Sequence, residues 1–423
     1  MFVYLPVEIK NRDFYPRLLL AKHLIELGHK VIIGRKKEIE IYALKGPKGV
    51  YYTLQSTRNY LNFYKKLKTY GHKIALSDEE GLVTYSDKIF LNTRATNELL
   101  SLADIIFVWG RNQFNVFKKN KKNFIKKVCI AGNPRFDFNH KLLNKFFLKN
   151  TEIKYNNYIL INSSFAIANH YDENVNSVAF RKKIGLINNK IEKDGYLFLK
   201  KYNKKKLKIY IDLANYLVNK IKKIKVVYKV HPSESVSIYN KLLDKKIILL
   251  KNANISESIL KAKFVIHDYC TTSLETLLYK KIPISFKINR NNTYLKNIPY
   301  LFSNSFESKI KILNFINSNK KLKLDKKKIN FYINNFTEKD SCRIISKKIS
   351  EFNMDDSYSF YNFLIFKIYI KLNQIKIFFS NNEYINTKTR NISNNDILKF
   401  YKYLKVKNFK IKRIINNLFI LSK

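Results

Sequence analysis

Cysteine is nearly absent from this chain. The three present, Cys129, Cys270 and Cys342, are far apart and odd in number, which excludes a disulfide framework and any pair at metal-ligand spacing. They read as buried, reduced thiols of a cytoplasmic protein. Long apolar runs are missing too, so no transmembrane helix is expected. The nearest stretch, Phe360–Phe379, is interrupted by Lys367, Lys371 and Lys376. The opening MFVYLPVEIKNRDF is broken by Pro6, Glu8 and Lys10 and does not read as a signal peptide. There is no GxGxxG, hence no dinucleotide-binding fingerprint, and no internal repeat of fixed period.

Acid is the other shortage: 32 Asp and Glu stand against 81 Lys and Arg, a formal net charge of +49. Such a charge suits a nucleic-acid or anionic-membrane partner. The lysines, however, are spread along the whole chain. Glycine, proline and tryptophan are scarce while Asn, Ile, Tyr and Phe abound, the composition that AT-rich DNA encodes. The charge is read first as that bias. Nucleic acid is therefore not an expected partner. An anionic membrane surface or an acidic substrate is compatible with the charge, with the protein peripheral on the inner membrane.

What is present is a strand-helix rhythm over 423 residues, 46% of them hydrophobic, enough for two or three domains. Met1–Leu5, His29–Gly34, Val50–Gln55, Lys73–Ser77, Asp104–Trp109 and Lys127–Gly132 read as strands. Helices are expected over Arg17–Leu27 and Asn59–Tyr70. The range 138–157 reads as a linker. Strands resume at Tyr158–Ser164, Val226–Val230, Lys246–Leu250, Phe264–His267 and Ile282–Phe286. Helices are expected at Leu207–Ile224, Ile255–Lys261 and Ser273–Tyr279, and over much of 306–350. Residues 168–200 read as polar and irregular. The expected fold is α/β in the GT-B layout. Two Rossmann-like domains, 1–140 and 155–350, face a cleft that holds the ligands, and a helical C-terminal segment covers 355–423 with patches at 360–379, 396–405 and 408–421.

Four short motifs stand at strand ends, where open α/β sheets place ligand contacts. Asp78-Glu79-Glu80-Gly81 follows a strand. Taken alone it is a solvated acidic turn. In a chain so short of acid, it also reads as adjacent carboxylates whose repulsion raises one pKa and poises a base, with Gly81 permitting the turn. In Gly132-Asn133-Pro134-Arg135, Arg135 holds an acceptor or caps the loop, and the structural reading is preferred. His231 and Pro232 end the strand VVYKV; the histidine is a satisfied strand-end residue or a contact to a phosphate leaving group. Thr271, Thr272 and Ser273 precede a helix. At least one is expected to be its N-cap, and free amides with hydroxyl donors also suit a phosphate there. Glu275, in the first turn, favours the helix dipole or takes ribose hydroxyls. His267 and Asp268 are given little weight. No DxD-like element stands on a strand end, so neither a metal nor another cofactor is expected.

Together, DEEG at 78–81, GNPRFD at 132–137, HPSE at 231–234 and TTSLE at 271–275 resemble bacterial surface carbohydrate biosynthesis proteins. More widely they are similar to GT-B transferases of CMP-activated sugars, the sialyl-, polysialyl- and capsule Kdo transferases. The resemblance covers roughly 1–350. It implies an inverting glycosyltransferase that takes a nucleotide-activated, CMP-linked sugar and a glycan or lipid-linked glycan acceptor. Glu79 or Glu80 would be the base, His231 would contact the departing phosphate, and Thr271, Thr272 and Ser273 would bind it. Domain closure would then exclude water. Rival readings are a CDP-polyol phosphotransferase, a UDP-sugar 2-epimerase-like enzyme and a non-catalytic basic binding protein.

Overall fold

The computed structural model describes residues 1–82, 86–138, 141–149, 153–183, 186–187, 189–251, 253–268, 270–288, 298–318, 325–336, 340–354, 366, 368–369 and 391–423. The chain forms two compact units, Met1–Phe146 with Asp325–Lys423, and Phe147–Leu324.

In the first unit, β1 (Phe2–Val7), β2 (Lys30–Arg35), β3 (Gly49–Tyr52), β4 (Lys73–Leu76), β5 (Ile105–Val108) and β6 (Val128–Ile130) pair in parallel, in the order 2-1-3-4-5-6. Between them run α1 (Lys10–Glu26), α2 (Lys36–Ala43), α3 (Leu61–Thr69), α4 (Asp87–Thr93), α5 (Asn97–Leu102) and α6 (Arg111–Asn120). Every residue of β1 is buried, as expected of a parallel strand covered on both faces. Helix α1 starts earlier than Arg17 because Asp13 accepts the Glu8 and Ile9 amides at 3.1 and 2.9 Å. Pro16 is carried inside the helix at the cost of one ladder bond.

The expected linker contains a helix, α7 (Lys141–Lys149). Its Phe146 is buried against Tyr15 and Phe400.

The second unit holds β7 (Tyr158–Asn162), α8 (Val178–Lys183), α9 (Lys190–Lys220), β8 (Val226–Lys229), α10 (Ser237–Leu242), β9 (Ile248–Leu250) and α11 (Ile255–Lys261). It continues with β10 (Ala262–His267), α12 (Thr272–Leu278), β11 (Ile282–Phe286), α13 (Ile298–Leu301), β12 (Asn304–Phe306) and α14 (Lys309–Asn317). All six strands are parallel, in the order β9-β8-β7-β10-β11-β12. Alternate residues, Ile159, Ile161, Val226, Tyr228, Phe264 and Ile266, pack with Tyr210 and Leu217 of α9 and Ile312 of α14. The intervening residues, Leu160, Val227 and Val265, therefore face the other side of the sheet. There Tyr158 bonds α11 through Ser258 O, 2.7 Å, and Asn162 bonds α12. Helix α9 reaches back to Lys190, capped by Asn189. Its first turns are too exposed and lysine-rich to show an apolar stripe, so part of the stretch read as irregular is helix.

The chain then returns to the first unit as α15 (Lys326–Tyr332), α16 (Ser341–Ser350), α17 (Asn394–Tyr403), β13 (Lys410–Ile415) and β14 (Leu418–Ser422). Residues 325–350 thus differ from the expected 155–350 grouping. Asp137 accepts the Ser341 and Cys342 amides at the start of α16, at 3.1 and 2.6 Å, and so ties it to the first sheet. The expected helix at 396–405 forms, with a capping box from Ser393 and Asp396. The patch at 408–421 is instead a β-hairpin, and β14 pairs antiparallel with β2 from Leu418↔Gly34 to Leu421↔Val31. Asn417 in the left-handed region makes its turn, φ 64°. The patch 360–379 lies almost wholly outside the described residues. Among the described residues no helix is long and apolar enough to cross a membrane.

Candidate functional site

Each sheet has a switch point where the strand order reverses, and ligands in open α/β sheets bind outside the carboxyl ends there. In the first sheet it lies between β1 and β3. The acid turn follows β4, one strand further on. Trp109 Nε1 donates to Asp78 O at 2.8 Å and Gln113 Nε2 to Gly81 O at 2.8 Å, so the turn is pinned from beneath. A side chain at Gly81 would press on Asp78 and Gln113 at 3.1–3.2 Å.

The three carboxylates diverge. Asp78 is buried and takes two bonds from Arg94 Nη1, 2.8 and 2.7 Å, and one from Ser56 Oγ, 2.8 Å. Glu79 is also buried, between Arg17 Nη2 and Asn133 Nδ2, each at 3.0 Å. Only Glu80 has an exposed side chain, 53%, with Arg94 at 3.2 Å and Arg12 at 3.4 Å. Burial and, less, repulsion from Asp78 push its carboxyl up, but Arg12 and Arg94 outweigh both and hold it below the ordinary value. Asn133 is fully engaged, since its Oδ1 accepts the Arg135 amide at 2.9 Å. Arg135 Nη1 donates to Glu79 O at 3.3 Å. Gly132 has φ +85°, and a side chain there would collide with Ser341 and the Asn334 carbonyl. The motif therefore locks the returning chain as well as the acid turn.

In the second sheet the switch point lies between β7 and β10. The registers Asn162↔Lys229, His267↔Asn162 and His267↔Ser285 line up one rung across four strands. Two residues back on the same face the rung is apolar (Leu160, Val227, Val265); this last one is polar, and every member is buried. Asn162 Nδ2 donates to Thr272 Oγ1 of α12 at 2.9 Å. His267 Nε2 meets Ser303 Oγ at 2.7 Å, and burial alone drives the ring down to about 3, so it is neutral. Among the described residues His267 Nδ1, Ser285 Oγ and Asp268 Oδ1 have no hydrogen-bond partner. Asp268 Oδ2 is paired with Lys206 at 2.5 Å.

His231 and Pro232 stand just beyond this rung, half-buried. The His231 amide donates to Ser163 Oγ at 2.8 Å, and the Ser233 amide donates to His231 Nδ1 at 3.2 Å. A ring that accepts at Nδ1 carries its neutral-form proton on Nε2. Glu234 lies in the loop ahead of α10. It is buried under the loop, taking the Phe165 amide at 2.5 Å and the Tyr239 hydroxyl, and burial pushes its carboxyl up to about 7.

Thr271 is the N-cap residue of α12, as expected of one of the three, but its side chain makes no cap bond because its backbone is already helical. Its hydroxyl instead reaches Glu275 Oε1 at 3.5 Å. Ser273 Oγ donates to Cys270 O at 3.2 Å. Of the cysteines only Cys342 is buried; Cys129 and Cys270 are partly exposed, and all three are free thiols. Among the described residues no three His, Cys, Asp or Glu side chains gather as metal ligands do.

Arg12, Arg17, Arg94, Asn162 and Lys229 also belong to the two edges and stand outside the four motifs that the sequence offers. Arg17 is 1% exposed, hidden within a leucine-rich helix pattern. Lys229 was visible as the one charge inside VVYKV.

No family model matches the chain, and no curated protein sequence does. Solved structures do. Methanocaldococcus jannaschii UDP-GlcNAc 2-epimerase, in complex with UDP-GlcNAc and UDP, has a TM-score of 0.52 at 13% identity, over 83% of this chain and 99% of that one. A variant of the wall teichoic acid polymerase TagF soaked with CDPG has a TM-score of 0.50 at 11% identity, over 83% of this chain and 88% of that one. The likeness shows the fold: this is a GT-B protein with two Rossmann-like domains.

Proposed function

We propose that the chain is a nucleotide-sugar glycosyltransferase of surface polysaccharide assembly. The donor is CMP-linked and the acceptor is a glycan or lipid-linked glycan hydroxyl. The observation that carries this reading is the polar rung at the switch point of the second sheet, with His231 beside it. An apolar face that turns polar only at the carboxyl edge is built for a ligand there.

In the proposed reaction Glu80 takes the proton of the acceptor hydroxyl as its oxygen attacks the anomeric carbon. The bond from that carbon to the donor phosphate breaks with inversion. The negative charge passes to the leaving nucleotide, where the Nε2–H of His231 and the hydroxyls of Thr271 and Thr272 receive it. A carboxylate held low by arginines stays ionised but is a weaker base, so the orientation that Arg12 and Arg94 impose is part of its role. Turnover is expected to survive EDTA.

A second reading, nucleotide-sugar epimerisation, is supported by the likeness to the 2-epimerase. One experiment separates them. The full-length protein is incubated with CMP-, CDP- and UDP-linked donors, with and without acceptor glycan. Acceptor-dependent CMP release from the CMP-linked donor, with no phosphate retained in the product, supports transfer. A rearranged UDP-sugar formed without acceptor supports epimerisation and overturns transfer.

A further inference from the structure

Lys229 is the last residue of β8, and its register against Asn162 puts its side chain on the α12 side of the sheet. It is 5% exposed. Among the described residues its ammonium has no hydrogen bond and no carboxylate within ion-pair distance. Glu275 and Glu234 act on it only at longer range. Both Glu234 oxygens are already taken, by Phe165 and Tyr239. The other buried cation at this edge, Lys206, is bound to Asp268. An ammonium largely withdrawn from water without a partner destabilises a fold, and an apolar residue of similar length would fill the position more favourably.

We propose that Lys229 is the counter-charge for the phosphate of a nucleotide bound at the carboxyl edge of the second sheet. This rests on the nucleotide-binding reading above and adds to it the one full positive charge that reading lacks. Its companions Asn162 and Thr272 supply only neutral donors. Burial lowers Lys229 to about 8 against the pull of Glu275 and Glu234, so it remains mostly protonated at neutral pH and able to pair with an arriving anion.

The test uses the full chain, with CMP, CDP and UDP titrated by calorimetry and melting measured with and without each. The proteins are wild type, Lys229→Met and Lys229→Arg. Lys229→Met is expected to melt at least as high as wild type without ligand, by roughly 2 °C or more, yet to bind nucleotide roughly 10- to 100-fold more weakly. Lys229→Arg is expected to recover part of the affinity. The corresponding nucleosides, which carry no phosphate, are expected to bind both proteins equally. If wild type binds none of the three nucleotides, the underlying reading falls and the role of Lys229 with it. If wild type binds and Lys229→Met binds equally, the nucleotide site stands and the role of Lys229 is overturned. If Lys229→Met melts lower and loses nucleoside binding as well, the lysine serves the fold, which also overturns it.

Discussion

The carboxyl edges of the two sheets are built on opposite principles. Around the acid turn every carboxylate has its arginine: Asp78 with Arg94, Glu79 with Arg17, Glu80 with Arg12 and Arg94. The charge is settled inside the fold, with Arg17 Nη1 the one buried nitrogen of that group without a partner among the described residues. At the second edge the polar rung is left wanting. Lys229 has no counter-ion, and His267, Ser285 and Asp268 each keep an unpartnered atom among the described residues. A satisfied network stiffens a scaffold, whereas an unsatisfied one is poised for a group not yet present. The acid turn therefore positions one exposed carboxylate, and in the proposed reading the second edge is the part that a nucleotide completes.

The strongest way to break this contrast is at its most buried pair. Arg17→Met strands Glu79 without its cation and is expected to cost about 3–5 kcal/mol in urea unfolding of the first unit; a loss under about 1 kcal/mol would mean that the network is decorative. Next in size are the two residues assigned chemistry. His231→Ala and Glu80→Gln are each expected to lower turnover roughly 100-fold or more. His231→Ala keeps the backbone bond to Ser163 and loses the acceptor of the Ser233 amide, so it is expected to cost about 1–2 kcal/mol of stability, whereas Glu80→Gln, at a half-exposed site, is expected to stay within about 1 kcal/mol. Full turnover in either, measured on folded protein, removes that residue from the reaction.

The smallest effect is a pH slope. Glu234 titrates near 7 in the fold and near 4.5 unfolded, so between these values the folded state binds the extra proton. Stability from this group is present below about pH 4.5 and is lost as pH rises through 7, at about 1 kcal/mol per pH unit in mid-range. Melting of wild type and Glu234→Gln compared from pH 5 to 8 is expected to show this slope in wild type only. Equal slopes would show that Glu234 is not the buried acid of the second edge.

Much of this was legible in the chain. Most strands and the four motifs at their ends follow from apolar runs stopped by Pro232, Gly81 or Gly132, because such signals are local. What the motifs do locally was less legible. Asp78 and Glu79 look equivalent to Glu80 in sequence, and only the distant Arg94, Arg17 and Asn133 set them apart. Thr271 looks like a cap but has helical backbone already. The hairpin at 410–422 reads as helix in sequence because KIKRII mixes exposed lysines with isoleucines in a way that fits either period, and its pairing partner β2 lies far away in sequence. Strand order, and with it the two switch points, is set by tertiary packing that no local pattern encodes.

The central claim is that the carboxyl edge of the second sheet receives the donor nucleotide. Hydrogen exchange of the full-length protein, read by mass spectrometry with and without saturating CMP, tests it directly. The account predicts slowed exchange in the peptides spanning 159–165, 226–235 and 264–279. Unchanged exchange there, with protection instead around Asn156, Lys225 and Lys263 in the pocket at the opposite, amino edge of the same sheet, would contradict it.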